Sequence, residues 1–151
     1  MSNITDVIVL TSWFGNDQAM EPFLEPDDRR DWRGAFGIAT QAPFQAAWIH
    51  NGKAPECLVW VGAFNYLNRP ALLRDLAALP WEEPGGVQVL INGQDDDCFG
   101  LWMFQGPDLV EVPLPGLTRI PMTAEVEDHS GGWHEVEVGL LQRLTPDVSP
   151  T

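Results

Sequence analysis

Three consecutive aspartates, Asp95, Asp96 and Asp97, are the first candidates for metal chemistry in this sequence. Hard cations such as Ca²⁺ and Mg²⁺ bind several oxygen ligands that one loop can supply. An EF-hand loop, however, alternates its ligands around a central glycine and ends on a distant glutamate, a spacing that this segment does not have. Consecutive side chains in an extended loop also diverge from one another. We therefore predict a solvated hairpin tip and no metal there.

His129 and His134 are a second candidate metal site, because Asp128 and Glu135 lie beside them and imidazole and carboxylate groups suit zinc or iron. His134 falls on the apolar face of a predicted strand, whereas His129 falls in a turn. A third ligand has to come from elsewhere in the chain, where His50 is the only other histidine. We expect no metal site and no cofactor.

Nucleophilic catalysis has few candidates. Ser130 is next to His129 in sequence, which is not a catalytic geometry. No Gly-x-Ser-x-Gly motif occurs, and Gly85-Gly86 precedes a predicted strand, whereas a phosphate-binding loop precedes a helix. Cys57 could use His50 as its base across a hairpin, but a buried structural cysteine is the favoured interpretation. We predict no catalytic residues.

The charge of the chain restricts its partners. The 151 residues include 22 acidic and 8 basic side chains, a net charge of −14. This charge repels phosphate groups, so we expect neither nucleic acid nor an anionic membrane as a partner. The acidic residues are spread over the whole chain, which solubility alone also explains. We see no secretory signal and no run of the roughly 20 apolar residues that span a membrane, and we expect a cytoplasmic protein.

The elements that position these residues are clearest in the centre of the chain. Strands are predicted at 57–64, 87–91 and 99–104, and a helix at 68–79. The run 57–64 has no polar alternation, which is typical of a strand buried on both faces. Asn68 can cap the helix, and Pro80 prevents its continuation. A strand, a helix and a strand in this order indicate a right-handed βαβ unit.

The remaining strands follow from alternation or from β-branched runs. They are predicted at 6–12, 44–50, 109–112, 122–126 and 134–138. Residues 44–50 are expected to form a hairpin with 57–64 across the turn at Asn51-Gly52.

We predict an α+β fold: a mostly antiparallel sheet of about six to eight strands, with one main helix (68–79) on one face. A single domain would span 1–144, followed by a loose tail at 145–151. A ferredoxin-like core is the alternative if residues 18–33 contain a second helix.

The hairpin at 122–138 carries an acidic strip. Its apolar residues share one face only if the residue numbers of each directly opposed pair add up to an even number, a condition called the even-sum rule below. The other face then holds four glutamates, which are Glu125, Glu127, Glu135 and Glu137. One permitted register sets Glu127 opposite Glu135 and Glu125 opposite Glu137. Directly opposed like charges destabilise a sheet. The strip is therefore either a solvated outer face or a surface that docks on a basic partner.

Four tryptophans are the other candidate contact residues. They are Trp13, Trp32, Trp81 and Trp133, each beside Gly, Pro or charged residues in predicted loops or at element ends. Tryptophan is enriched in interface hot spots. The alternative interpretation is that these rings cover the open face of the sheet from loops.

Together these features favour a small acidic binding or inhibitory protein without catalysis, which docks on a basic surface of a protein partner. Its physical character is that of immunity proteins or nucleic-acid mimics, an analogy that carries no claim of relationship. The alternative is a small-ligand or metal-dependent enzyme with a pocket between helix 69–79 and loop 13–36, because functional sites often lie on long loops.

Overall fold

The computed structural model describes residues 2–40 and 56–144, and only the backbone of Phe14. Within these ranges the chain forms ten β-strands and one α-helix. In chain order they are β1 (Ile4–Thr11), β2 (Gly37–Ile38), β3 (Leu58–Asn65), α1 (Arg69–Ala77), β4 (Val87–Asn92), β5 (Gly100–Gln105), β6 (Asp108–Val112), β7 (Leu117–Ile120), β8 (Thr123–Glu127), β9 (Trp133–Glu137) and β10 (Leu140–Arg143). A 3-10 helix at Phe14–Phe23 follows β1, and a 3-10 turn at Pro84–Gly86 precedes β4.

Six of these strands form the main sheet, in the order β2-β3-β1-β4-β5-β6, and every neighbouring pair is antiparallel. The fold is therefore broadly α+β and mostly antiparallel, as predicted, although the helix is a minor part of it. β3 and β4 both pair with β1, so they run parallel to each other with β1 between them. The predicted strand–helix–strand unit is thus split by the first strand of the chain.

The main sheet has one well-buried face. Val7, Val9 and Val89 are completely buried, and Trp60 and Phe64 of β3 are nearly so. The prediction that residues 57–64 are buried on both faces is wrong, because Val61 and Ala63 of β3 are exposed. An uninterrupted apolar run fits a strand whose second face is only partly covered, since folded proteins leave much apolar surface exposed.

The predicted helix is confirmed as α1. The Asn68 side chain caps it by accepting a hydrogen bond of 3.2 Å from the Ala71 backbone N–H, and Pro70 lies in its first turn. Leu72 and Leu76 are fully buried in the core cluster. None of the helices in the described ranges is long and apolar enough to cross a membrane.

Residues 18–33, which a ferredoxin-like core would need as a second α-helix, form the 3-10 helix and then irregular turns. Pro22 lies inside the 3-10 helix, and its missing N–H disfavours a regular α-helix there. The segment nevertheless contributes to the core. Its aromatic rings meet edge to face, with centroid distances of 4.8 Å for Phe23–Trp32 and 5.8 Å for Trp32–Phe64.

The last third of the described chain forms two separate two-stranded sheets, β7 with β10 and β8 with β9. Pro121 lies between β7 and β8, and a proline cannot donate a ladder hydrogen bond. The prediction of one sheet of six to eight strands is therefore corrected to six strands plus two small sheets. The predicted strand at 44–50, its hairpin with 57–64 and the tail at 145–151 lie outside the described residues.

Candidate functional site

The β8–β9 hairpin, called the ribbon below, carries the acidic strip. The even-sum rule is confirmed, but the register is Glu125 opposite Glu135, Thr123 opposite Glu137 and Glu127 opposite Trp133. The register in which Glu127 opposes Glu135 is not the one formed. The turn explains the difference, because the Asp128 backbone N–H donates to the Gly132 carbonyl at 2.8 Å and so sets the pairing of the strands beyond it.

The four glutamates of the strip differ in their surroundings. Glu125, Glu135 and Glu137 are exposed, and no ion pair within the described ranges involves them. Glu127 is half-buried, and its Oε1 lies 3.5 Å from the Arg33 guanidinium. The opposite face of the ribbon carries Val126, which is buried. Because side chains alternate between the two faces of a strand, the burial of Val126 places the glutamates on the face toward solvent.

Only two of the four predicted tryptophans are accessible. Trp133 is 53% exposed and its ring contacts Tyr66 edge to face at 5.2 Å, while Trp13 is 47% exposed at the other end of the chain. Trp32 is 1% exposed, and its Nε1–H donates to Asp75 at 2.9 Å. Trp81 is 8% exposed and donates to the Leu76 carbonyl at 2.8 Å. Because Trp32 and Trp81 are buried, the prediction that they belong to the contact surface is wrong.

The turn of the ribbon is attached to the body by polar contacts. His129 Nδ1 lies 2.7 Å from an Asp31 carboxylate oxygen, and Arg33 donates to the Asp128 carbonyl at 3.3 Å. The hydrogen bond to Asp31 raises the pKa of His129, and the same bond lowers the pKa of Asp31. Sequence reasoning did not find this contact, because 98 residues separate its partners.

The two histidines of the ribbon do not converge. His134 Nδ1 lies 3.8 Å from Asp128, whereas His129 contacts Asp31. In the part of the chain that the structure describes, no three or more His, Cys, Asp and Glu side chains are grouped so that they could hold a metal.

The three aspartates of the β4–β5 loop are not a uniform solvated tip. The Asp96 side chain is only 4% exposed. Its carboxylate accepts from the backbone N–H groups of Gly93 at 2.8 Å and Leu141 at 2.9 Å, and Arg119 lies 3.6 Å away. Asp97 accepts from the Arg143 backbone N–H at 2.7 Å, and only Asp95 is left without a described partner. The loop therefore joins the main sheet to β10.

Side chains pack together between helix 69–79 and loop 13–36, where the alternative interpretation predicts an enzyme pocket. Met20 and Trp32 from the loop belong to the same buried cluster as Leu72 and Leu76 from α1. Cys57, predicted to be buried, is exposed just before β3 begins, and His50 lies outside the described residues.

Comparison with known proteins gave no match: no family model fits the sequence, and no curated protein or solved structure is significantly similar to it.

Proposed function

We propose that this chain is a small acidic binding or inhibitory protein of the cytoplasm, which docks on a basic protein surface through the outer face of the ribbon and catalyses no reaction. One observation carries the proposal: Glu125 and Glu135 are directly opposed, exposed and without a cationic partner in the described ranges. Cross-strand like charges cost a few tenths of a kcal/mol to about 1 kcal/mol. A basic partner would remove this cost on binding.

Two further features support docking by this face. Trp133 lies on β9 beside the strip and leaves about half of its surface exposed, as an anchoring ring at an interface would. The net charge of −14 attracts a basic surface over a long range and speeds association at low salt. The same charge repels nucleic acids and anionic membranes.

A matched pair of variants tests the strip. The ribbon variant replaces Glu125, Glu127, Glu135 and Glu137 by glutamine. The control replaces four exposed acidic residues on other elements, as Glu21→Gln, Glu82→Gln, Glu83→Gln and Asp108→Asn. Both variants remove four negative charges and change the net charge from −14 to −10. They therefore have the same net charge and differ in where the charge is lost.

We expect the ribbon variant to melt at a higher temperature than the wild-type protein, because the repulsion between Glu125 and Glu135 is gone. The gain should be partly offset by the lost contact of Glu127 with Arg33. The double variant Glu125→Gln/Glu135→Gln keeps that contact, so its stabilisation should be the cleaner one, a few tenths of a kcal/mol to about 1 kcal/mol. Thermal melts by circular dichroism measure both.

Binding is tested by immobilising the wild-type protein and both variants in an extract of cells that naturally produce the protein. Basic proteins retained by the wild type and the control at low salt should be lost from the ribbon variant. Association of a retained protein should be slower for the ribbon variant, and the difference should shrink as salt is added. If both variants lose the same proteins to the same extent, net charge alone explains retention and the strip is not the docking surface.

A further inference from the structure

A cavity of about 110 Å³ lies between the ribbon and the main sheet. Thr5 of β1, Ile91 of β4 and Val126 of β8 line it, together with Gln94 from the β4–β5 loop and Arg69 from the start of α1. The volume is well above the roughly 10–15 Å³ that one water molecule needs, so a small organic molecule has room there. Polar and apolar side chains both line it, and polar groups that converge on a concave apolar site fix the orientation of a small ligand.

Arg69 is the unusual residue of this cavity. Its guanidinium lies over the Trp102 ring, with Cζ 5.3 Å from the centroid, and no hydrogen bond or ion pair to it occurs within residues 2–40 and 56–144. Burial, and secondarily the charge of Arg119, lower the pKa of Arg69 to about 10, so it stays charged at neutral pH. Arg69 is half-buried, and a partly desolvated cation without an acceptor is costly. A carboxylate would satisfy its paired N–H donors.

The two carboxylates whose charges act on Arg69 are held by other groups. Glu111 accepts two hydrogen bonds from Arg119, at 3.1 Å from Nε and 2.5 Å from Nη2. Both oxygens of Asp96 accept backbone N–H donors, from Gly93 and Leu141. The protein therefore supplies an arginine at the cavity wall and leaves its acceptor to come from outside.

Long-range charge decides which carboxylate compound can reach this site. The net charge of −14 repels a free anion, whereas a zwitterion carries no net charge. Asp95 from the β4–β5 loop and Glu125 from β8 also line the cavity, and no described residue pairs with either carboxylate. The cavity thus has one cationic group and two anionic groups that are unpaired within the described ranges.

We propose that this cavity binds a small α-amino acid as its zwitterion, with the carboxylate on the Arg69 guanidinium and the ammonium group on the side of Asp95. The ligand would lie against the inner face of the ribbon, and of the four glutamates of the acidic strip only Glu125 lines the cavity. The inference goes beyond docking on a partner and does not depend on it.

Titration of the purified protein with L-alanine, propionate and ethylamine, followed in amide NMR spectra, tests the site. L-alanine should bind more tightly than either of the other two, because each of them lacks one of its charged groups. The shifted amides should include those of Thr5, Gln94 and Val126. Absence of L-alanine binding, shifts confined to other regions, or propionate binding as tightly as L-alanine would overturn the proposal.

Two variants and one control sharpen the test. Arg69→Gln should weaken L-alanine binding at least about 10-fold, since charge-assisted hydrogen bonds to the carboxylate are lost. Asp95→Asn should weaken L-alanine binding and should not weaken propionate binding. The exposed Arg143→Gln makes the same charge change as Arg69→Gln and should bind as the wild type does. Equal L-alanine binding by Arg69→Gln and Arg143→Gln refutes the role of Arg69. If Arg69→Gln does not fold, the amide shifts of the wild-type protein decide whether L-alanine binds in this cavity.

Discussion

The main sheet and the C-terminal small sheets are held in place by different forces. The core cluster contains residues of the main sheet, α1 and the 3-10 helix, and all of its buried members lie between Val7 and Trp102 in the sequence. In the small sheets Val126 and Leu141 are buried, but neither belongs to that cluster. The first region is stabilised mainly by apolar burial, which is nearly insensitive to salt and pH.

Charged groups take part in the attachment of the small sheets. Asp96 holds the Leu141 N–H and lies near Arg119, and His129 contacts Asp31 at the turn of the ribbon. Such contacts respond to pH and to substitution of one partner. The acidic strip therefore lies on the part of the molecule whose attachment solution conditions can change, and the three predictions below test this difference.

Replacing Trp32 by alanine should have the largest effect. The ring is packed between Phe23 and Phe64 and donates a hydrogen bond to Asp75, so its removal leaves a cavity and takes one of the donors from that carboxylate, which keeps its contact with Arg74 at 3.0 Å. We expect a loss of about 3–5 kcal/mol in the free energy of unfolding, measured by urea denaturation. Trp32→Phe, which keeps a ring but not the donor, should lose clearly less. A loss below about 1 kcal/mol for Trp32→Ala would contradict the assignment of this residue to the core.

Replacing Asp96 by asparagine should have a smaller and more local effect. An asparagine has one acceptor oxygen, so one of the two donors, Gly93 N–H or Leu141 N–H, then faces an amide NH₂. We expect a loss of about 2–3 kcal/mol, because hydrogen bonds to a buried charged group are among the stronger ones.

Hydrogen exchange of the Asp96→Asn variant distinguishes the effect on the small sheets from the effect on the main sheet. Amides of β10, such as Leu141, should lose protection, while amides of β1 and β4 keep theirs. The matched control is Asp95→Asn, since Asp95 is exposed and has no described partner, and its effect should stay within about 0.5 kcal/mol. Equal effects of the two substitutions would mean that Asp96 does not anchor the small sheets.

The same comparison shows what could be predicted from the sequence. Whether a side chain prefers burial depends largely on its residue type, so the strands β1, β3 and β4 were predicted correctly from their apolar runs. The cap at Asn68 was predicted correctly as well. The polar attachments depend on residues far apart. Asp95, Asp96 and Asp97 are alike in sequence, and which one is buried is decided by a backbone N–H 45 residues away.

Local surroundings also misled the assignment of single residues. Trp32 lies between Asp31 and Arg33, which suggested an exposed ring, but its hydrogen-bond partner Asp75 is 43 residues away. The even-sum rule allowed several registers for the ribbon. The register that formed depends on the turn, where Gly131 has a φ of +88° and Asp128 accepts from the Gly132 N–H at 2.9 Å. Alternation of side chains contains no information about that turn.

The smallest expected effect comes from His129→Gln, and pH reveals it. The folded state raises the pKa of His129, so the stabilisation is complete below the ordinary value near 6.5 and is lost as pH rises through the raised value. The pKa of Asp31 is lowered, so its contribution is present above the ordinary value near 3.9 and lost as pH falls through the lowered one. The melting temperature of His129→Gln should therefore lie below that of the wild type at about pH 5.5 and approach it at about pH 8.5. Combining His129→Gln with Asp31→Asn should add little to either single change at the lower pH, because the two residues act as one contact. A gap between wild type and variant that is the same at both pH values would show that the charge of His129 does not attach the ribbon.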